Sequence, residues 1–353
     1  MQTGQKVSSA TETIGSAPGP VISVIIPALN EEEMIAKSLG SLAAADAAND
    51  SFEVIVVDNG STDRTLELAQ GFAGRLSIRT VQKPSVPVTA LRNMGAMLAR
   101  GEVVAFLDAD CQVLKSWLVN ARREFRDHSA GVVGGYIRIP EDATWVSRAW
   151  YGFGYAPRTG DVDYVPSGNL LMRRTDFFAI GGFDEHLRTA EDFDLCLRAR
   201  QAGLSVRAVA DLAVVHLRSP RSLREFYKRE CWHGSHVTKA LRGNLAQWKR
   251  FRAAAFALFM LVCLLGALVE SGFGIATGNF APLLMVLLLM VGPCVAGTAI
   301  KSKTAGRRVH VGQFLQLTFL HFVYGIARAQ ALLSVSFPYH RDFVPRVAKV
   351  PAE

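Results

Sequence analysis

Two hydrophobic textures divide the chain. Residues 21–217 interleave short apolar runs with stretches of helical spacing. VISVII (21–26), FEVIVV (52–57) and EVVAFL (102–107) are rich in Val and Ile, and each ends at polar or turn residues. Unbroken apolar runs of this length predict strands buried on both faces. Helical spacing over 31–45, 63–73 and 88–99 fills the gaps between them. The alternation predicts a doubly wound α/β domain built on a parallel sheet.

Beyond residue 250 the texture changes. Residues 253–270 are almost wholly apolar, and 281–300 carry no charge. A helix of about 20 such residues spans a bilayer core. A pair of buried core helices is the other reading, but purity and length favour a transmembrane hairpin. Residues 312–335 are more mixed, with Gln313, Gln316, His321, Arg328 and Gln330. They form either a third span or a helix lying in the membrane interface, and their polar content favours the interface. The first 20 residues are rich in Ser, Thr, Gly, Ala and Pro and lack the apolar stretch of a signal sequence, so they read as a tail. The expected layout is a tail (1–20), an α/β domain (21–217), a basic amphipathic segment (218–250), two membrane helices (251–300) and a basic loop, third helix and tail (301–353).

Composition sharpens this picture. Half of the 353 residues are hydrophobic and 20% are charged, which excludes a disordered chain. The net charge of +8 is unevenly placed. Residues 1–217 hold 21 Lys+Arg against 26 Asp+Glu, while residues 218–353 hold 18 against 5. Lys249, Arg250 and Arg252 precede the first apolar segment, and Lys301, Lys303, Arg307 and Arg308 follow the second. The loop 271–280 has no Lys or Arg, so the positive-inside rule sets both ends of the hairpin in the cytoplasm. The expected location is the cell inner (cytoplasmic) membrane, multi-pass, with residues 21–217 cytosolic. The basic residues adjoin membrane segments and no nucleic-acid motif is present, so the acidic partner is the leaflet rather than nucleic acid. The five Cys are scattered without a CxxC pair, which suits a reducing compartment and argues against zinc.

Acidic clusters follow the strands, where ligands of open sheets bind. Pro27-Ala28-Leu29-Asn30-Glu31-Glu32-Glu33 reads either as a capping box, Asn30 with Glu33, or as a ligand loop. Asp58 ends the second strand with no capping task, leaving its carboxylate to accept from the N–H of a nucleobase. Asp108-Ala109-Asp110 ends the third strand, and a turn there would let both carboxylates reach one hard cation. Thr189-Ala190-Glu191-Asp192 opens a helical pattern. Thr189 with Asp192 resembles a capping pair, and Asp192 is also a candidate general base. His216 follows a strand-like run and is either structural or a metal ligand.

Taken in order, VISVIIPALNEEE, VIVVDNGSTDRT, ALRNMGAMLARGEVVAFLDAD, SGNLLMRR, IGGFDE and EDFDLCLRARQAG resemble a glycosyltransferase family 2 enzyme of the GT-A fold, over about 22–217. The resemblance implies a nucleotide-diphosphate sugar as donor, UDP-linked before GDP-linked. It puts Pro27, Asn30, Glu31, Asp58 and Arg92 beside the nucleotide. Asp108 and Asp110 become the DxD that holds Mg²⁺ or Mn²⁺ on the diphosphate, with His216 a third ligand. Asp192, paired with Glu191, becomes the base of an inverting displacement. Gly168, Asn169 and Gly182 fall on the acceptor or donor-sugar side.

The basic segment 218–250 reads as an amphipathic helix on the leaflet, part of which also closes over the donor diphosphate. Processive synthases of the family carry Gln-x-x-Arg-Trp after the catalytic acid. Here Lys228-Arg229-Glu230-Cys231-Trp232-His233-Gly234 departs from it. Single-sugar transfer to a lipid-linked or glycan acceptor in cell-surface glycan synthesis is therefore expected. A processive synthase subunit and a membrane-anchored pseudoenzyme scaffold are the alternatives.

Overall fold

A computed structural model describes residues 21–46, 52–126, 130–152, 159–187, 189–234, 248–304 and 309–333, with backbone alone at 248–253 and 304. The tail 1–20, Lys239, Arg242, Arg307 and Arg308 lie outside the described residues, and Lys249, Arg250 and Arg252 are described in backbone only.

The apolar runs form the centre of the molecule. β1 (Ile22–Ala28), β2 (Phe52–Asp58) and β4 (Val103–Leu107) are buried along their whole lengths. They pair in parallel, Ile22 opposite both Phe52 and Val103, and β3 (Ile78–Gln82) extends the sheet beyond β2. Successive strand residues face opposite ways. Ile22, Val24, Val54, Val56, Val103 and Ala105 pack on one side with α1 (Ile35–Ala43) and α4 (Trp117–Arg126). Ile25, Ile55, Val57, Val104 and Phe106 pack on the other with α3 (Val88–Leu98) and α7 (Glu191–Gln201). Both faces are covered, which is why these runs show no polar alternation.

Strand direction departs from the expectation. β9 (Asn169–Arg173) runs antiparallel to β4 and to β6 (Val132–Gly134). With β10 (Val206–Ala208) and β8 (Gly160–Asp161) the order is β3-β2-β1-β4-β9-β6-β10-β8, a mixed sheet. A strand buried on both faces reads as a continuous apolar run in either direction, so the pattern could not reveal the reversal. A second sheet joins β5 (Cys111–Val113), β11 (Val214–His216) and β7 (Ile137–Arg138) in the order β5-β11-β7.

Past this domain, α9 (Trp248–Thr277) and α10 (Ala281–Thr304) pack as a hairpin around a turn at Gly278, whose φ of 71° suits glycine. Residues 254–277 and 281–303 are long and apolar enough to cross a membrane. α11 (Val311–Leu333) is wedged between this hairpin and the α/β domain. One side buries Ala329 with Met260 and Met290. Another buries Leu320 with Val146 of α5 (Trp145–Tyr151) and Phe226 of α8 (Leu223–Gly234). Three of the polar residues that made 312–335 look mixed have partners there. Arg328 pairs with Glu230 at 2.8 Å, Tyr227 donates to Gln330, and His321 Nδ1 lies 3.0 Å from Thr298.

Candidate active site

The strand ends deliver the acidic residues to one edge of the sheet. After β1 the chain turns through Asn30, which takes a left-handed φ of 53°. The Asn30 N–H donates to Ser61 Oγ at 2.9 Å, its Oδ1 accepts from the Thr62 N–H at 2.8 Å, and the Glu31 N–H donates to Thr65 Oγ1 at 2.7 Å. The capping box is therefore not formed: α1 begins after Met34 with no side-chain cap, and Asn30 instead ties the first loop to the second. Pro27 lies inside β1 opposite Val57 rather than in the loop.

Asp58 is fully buried. Its carboxylate accepts from the backbone N–H groups of Gly60 (3.2 Å) and Ser61 (3.0 Å), from the Ser61 hydroxyl and from Gln82 Nε2 (3.3 Å). Asp58 caps no helix, but its carboxylate is already engaged: it closes the turn of its own loop, the local Asx pattern that competes with other uses of a short acid.

The chain does turn at the DxD. The Cys111 N–H donates to the Asp108 carbonyl at 3.0 Å, and β5 begins there. β11 pairs antiparallel with β5, His216 opposite Cys111, which brings His216 Nε2 to 3.5 Å from Asp110 Oδ2. Burial, with Asp108 adding, holds the Asp110 carboxyl above its ordinary range against the opposing pull of His216 and Arg218. Asp110, Cys111 and His216 present one ligand atom each within 4.8 Å of one another. Burial pushes the Cys111 thiol well up, which keeps it protonated and leaves carboxylate oxygen and imidazole nitrogen as donors. That donor set fits a divalent cation of the Mg²⁺ or Mn²⁺ kind.

Arg92 is buried. It is 3% exposed, donates to Asp108 Oδ1 at 2.8 Å and to Glu191 Oε1 at 3.1 Å, and stacks over Phe183. It thus locks the DxD turn to the start of α7. Ser167 Oγ adds a 2.9 Å bond to the same Glu191 oxygen. Asp192 follows, its pKa raised to about 6 by burial and by the neighbouring Glu191 charge. Thr189 caps nothing; the N-cap is Ala190 in a left-handed conformation with no side-chain bond.

The three residues expected on the sugar side separate. Gly168 stands directly against Asp108: a Cβ there would lie 2.4 Å from Asp108 Oδ2, so only glycine leaves room for the carboxylate. Asn169 is fully buried, accepting from Trp117 Nε1 at 3.1 Å and donating to the Leu212 carbonyl at 2.6 Å, so its amide holds the core and is closed to a sugar. Gly182 forms a left-handed turn against Asn93 and Phe177 and serves that turn.

The family models match across this site. One described as Glycosyl transferase family 2 covers residues 23–180, and one described as Glycosyl transferase family group 2 covers residues 103–300. The chain belongs to glycosyltransferase family 2. Glycosyltransferase AglE of Haloferax volcanii is 29% identical over 257 residues, 69% of this chain and 81% of that protein. Validoxylamine A glucosyltransferase of Streptomyces hygroscopicus is 40% identical over 223 residues, 52% of this chain and about half (49%) of that protein's length. Among solved structures, the mannosyltransferase PcManGT from Pyrobaculum calidifontis, in complex with GDP-Man and Mn²⁺, shares the fold with a TM-score of 0.58 at 21% identity, over 92% of this chain and 89% of that one. This glycosyltransferase therefore has the GT-A fold.

Two contributors to the glycosyltransferase site escaped the sequence reading. Ser167 lies in the SGNLLMRR motif without an assigned role, and Gln82 carries no pattern; only folding brings them to Glu191 and Asp58. Arg218, the first residue of the basic segment 218–250, pairs with Glu31 at 3.0 Å. Glu31 has a pKa raised to about 7, chiefly by burial and partly by Asp110, Asp108 and Asp63, with Arg218 pulling the other way.

Proposed function

We infer that this glycosyltransferase is an inverting, divalent-cation-dependent enzyme. Its donor is a nucleotide-diphosphate sugar, UDP-linked before GDP-linked, and its acceptor is a lipid-linked or glycan hydroxyl at the cytoplasmic face of the membrane. The observation that carries the reading is the approach of His216 to Asp110 in the DxD, whose other acid, Asp108, is tied through Arg92 to Glu191 at the start of α7, next to Asp192. Asp110 and His216, with Asp108, would hold the cation, which offsets charge on the departing diphosphate. Asp192 accepts the acceptor hydroxyl's proton as that oxygen bonds to the anomeric carbon. The sugar–phosphate bond breaks, and its electron pair leaves on the nucleoside diphosphate. One base on the opposite ring face gives one displacement and hence inversion. Arg218, beside Glu31 and the cation corner, suits the diphosphate. Asn30, Glu31 and Asp58 hold the two loops that flank the nucleotide. The complex of PcManGT with GDP-Man and Mn²⁺ supports both the cation and a nucleotide-diphosphate donor.

The two apolar helices support membrane anchoring. α11 reads as an interface helix because its middle touches the α/β domain on one side and the hairpin on the other. Tethering concentrates the enzyme near a lipid acceptor.

The test is a thermal-shift panel of nucleotide sugars with Mn²⁺ on the full chain, because a ligand that binds only the folded state raises its stability. A shift with one donor class, abolished by excess chelator and by Asp110→Asn, is expected. A donor shift indifferent to chelator would defeat the cation assignment.

A further inference from the structure

We propose that the pocket between β7, α5 and α8 binds the phosphate that anchors a lipid-linked glycan acceptor, whose sugar hydroxyl is the nucleophile. It deepens the reading above and rests on it for the transfer chemistry. The pocket is shallow and open, and it is lined by Ile137, Ile139, Tyr151, His216, Ser219 and Arg229.

Three observations converge on this ligand class. The first is charge. Among the described residues the Arg229 guanidinium has no ion-pair partner within 4 Å; it stacks over Tyr151 at 5.5 Å and donates to the Arg218 carbonyl at 3.3 Å. Such a cation favours a group with concentrated negative charge. The second is the mixed lining. One cation faces two isoleucines and a tyrosine ring, which suits a phosphate joined to a hydrocarbon chain better than a nucleotide or a free sugar. The third is location. Tyr151 and Arg229 each neighbour a residue seated on α11: Trp150 packs against Tyr324 and His321, and Glu230 pairs with Arg328. The pocket therefore lies on the side that carries the apolar hairpin, and His216 places it directly beside the cation corner. A phosphate held by Arg229 would bring the head of a membrane lipid to the reacting sugar without leaving the leaflet.

Two sources offer a phosphate on an apolar chain, a polyprenyl carrier and a bulk phospholipid. The test measures binding of a long-chain polyprenyl monophosphate to the full chain in zwitterionic nanodiscs. Neutral polyprenol and phosphatidylglycerol serve as the comparison arms. The monophosphate should bind, and neutral polyprenol should not. Arg229→Gln should weaken binding by about tenfold or more, with partial rescue in Arg229→Lys. Ile139→Trp, which fills the pocket without changing charge, should weaken it as well. Equal binding of phosphatidylglycerol would make the pocket a leaflet anchor and overturn the acceptor assignment. Nucleotide-sugar thermal shifts are recorded on the same samples. A loss of that shift parallel to the loss of lipid binding would assign the pocket to the donor diphosphate and overturn the proposal. If wild-type protein bound the lipid but showed no nucleotide-sugar shift, the donor reading would fail while the lipid pocket stood.

Discussion

The central sheet and the C-terminal hairpin are built from similar side chains and treat them in opposite ways. Ile22, Val24, Ile25 and Ile26 are 0% exposed, while Leu268 is 72% and Ile275 79% exposed. The sheet buries its apolar atoms against its own helices; the hairpin turns them outward, where a bilayer rather than protein is the suitable solvent. Polar groups reverse as well. At the sheet edge, carboxylates are crowded and partly desolvated, so Glu31, Asp110 and Asp192 all sit above their ordinary pKa range. In the layer where the helices meet the domain, Glu230 and Arg328 are paired, as are Tyr227 and Gln330. One region holds charge in a costly state for chemistry. The other neutralises it to fix an orientation.

That contrast can be broken from both sides, and the largest effect is expected at the edge. Asp192→Asn should lower sugar transfer by about 10²–10⁴-fold, the usual worth of a positioned base. It should not lower stability. A carboxyl with a raised folded pKa contributes stability below its unfolded value and loses it as pH rises through about 6. Removing the charge should therefore leave Tm unchanged near pH 4 and raise it near pH 8, read by thermal unfolding at both pH values.

In the helix layer the sign reverses. Glu230→Leu strands the buried Arg328 charge and should cost about 3–5 kcal/mol. The double change Glu230→Leu with Arg328→Met should recover most of that loss, measured as unfolding in detergent. Failure of the double variant to recover would mean the pair does more than neutralise.

Packing gives a smaller contrast. A Cβ on Gly95 would lie 2.3 Å from Ile25 Cγ2, so Gly95→Ala should destabilise by about 1–3 kcal/mol. Gly266 in α9 has nothing within 4 Å of its Cβ position, and Gly266→Ala should be neutral within about 0.5 kcal/mol or slightly stabilising. Equal effects at the two sites would mean that the hairpin is as tightly enclosed as the sheet. The finest test is the pH profile. Transfer should fall on the acid side near pH 6, and Glu191→Gln should move that limb to lower pH by up to about one unit, because the like charge beside Asp192 is gone.

Much of the site was legible because its residues lie at strand ends. Apolar runs that stop at Asp58 and Asp108 are visible in a linear string, and the chain turns after Asp108, where Asp108 pairs with Arg92 and Asp110 faces His216. His216 was legible only as a candidate; the β5–β11 pairing decided that it meets Asp110. Errors arose where a short polar side chain had a choice of partners. Asn30 and Asp58 were assigned to a helix cap and to an unengaged carboxylate, and both instead bind the neighbouring loop. Asn169 lies two residues from Ser167, yet one amide faces the core and the other side chain faces Glu191.

The amino-acid sequence by itself determined the family, the two textures and the order of the chemical groups, because period, length and motif spacing are local quantities. Tertiary structure decided which of those groups meet. Arg92 joins Asp108 to Glu191, which lies 99 residues from it, β9 reverses in mid-sheet, and α11 finds partners for Arg328 and His321 on two bodies at once. Hydrogen bonds and ion pairs between distant residues depend on where the backbone returns, and the packing of both faces of one sheet sets that return.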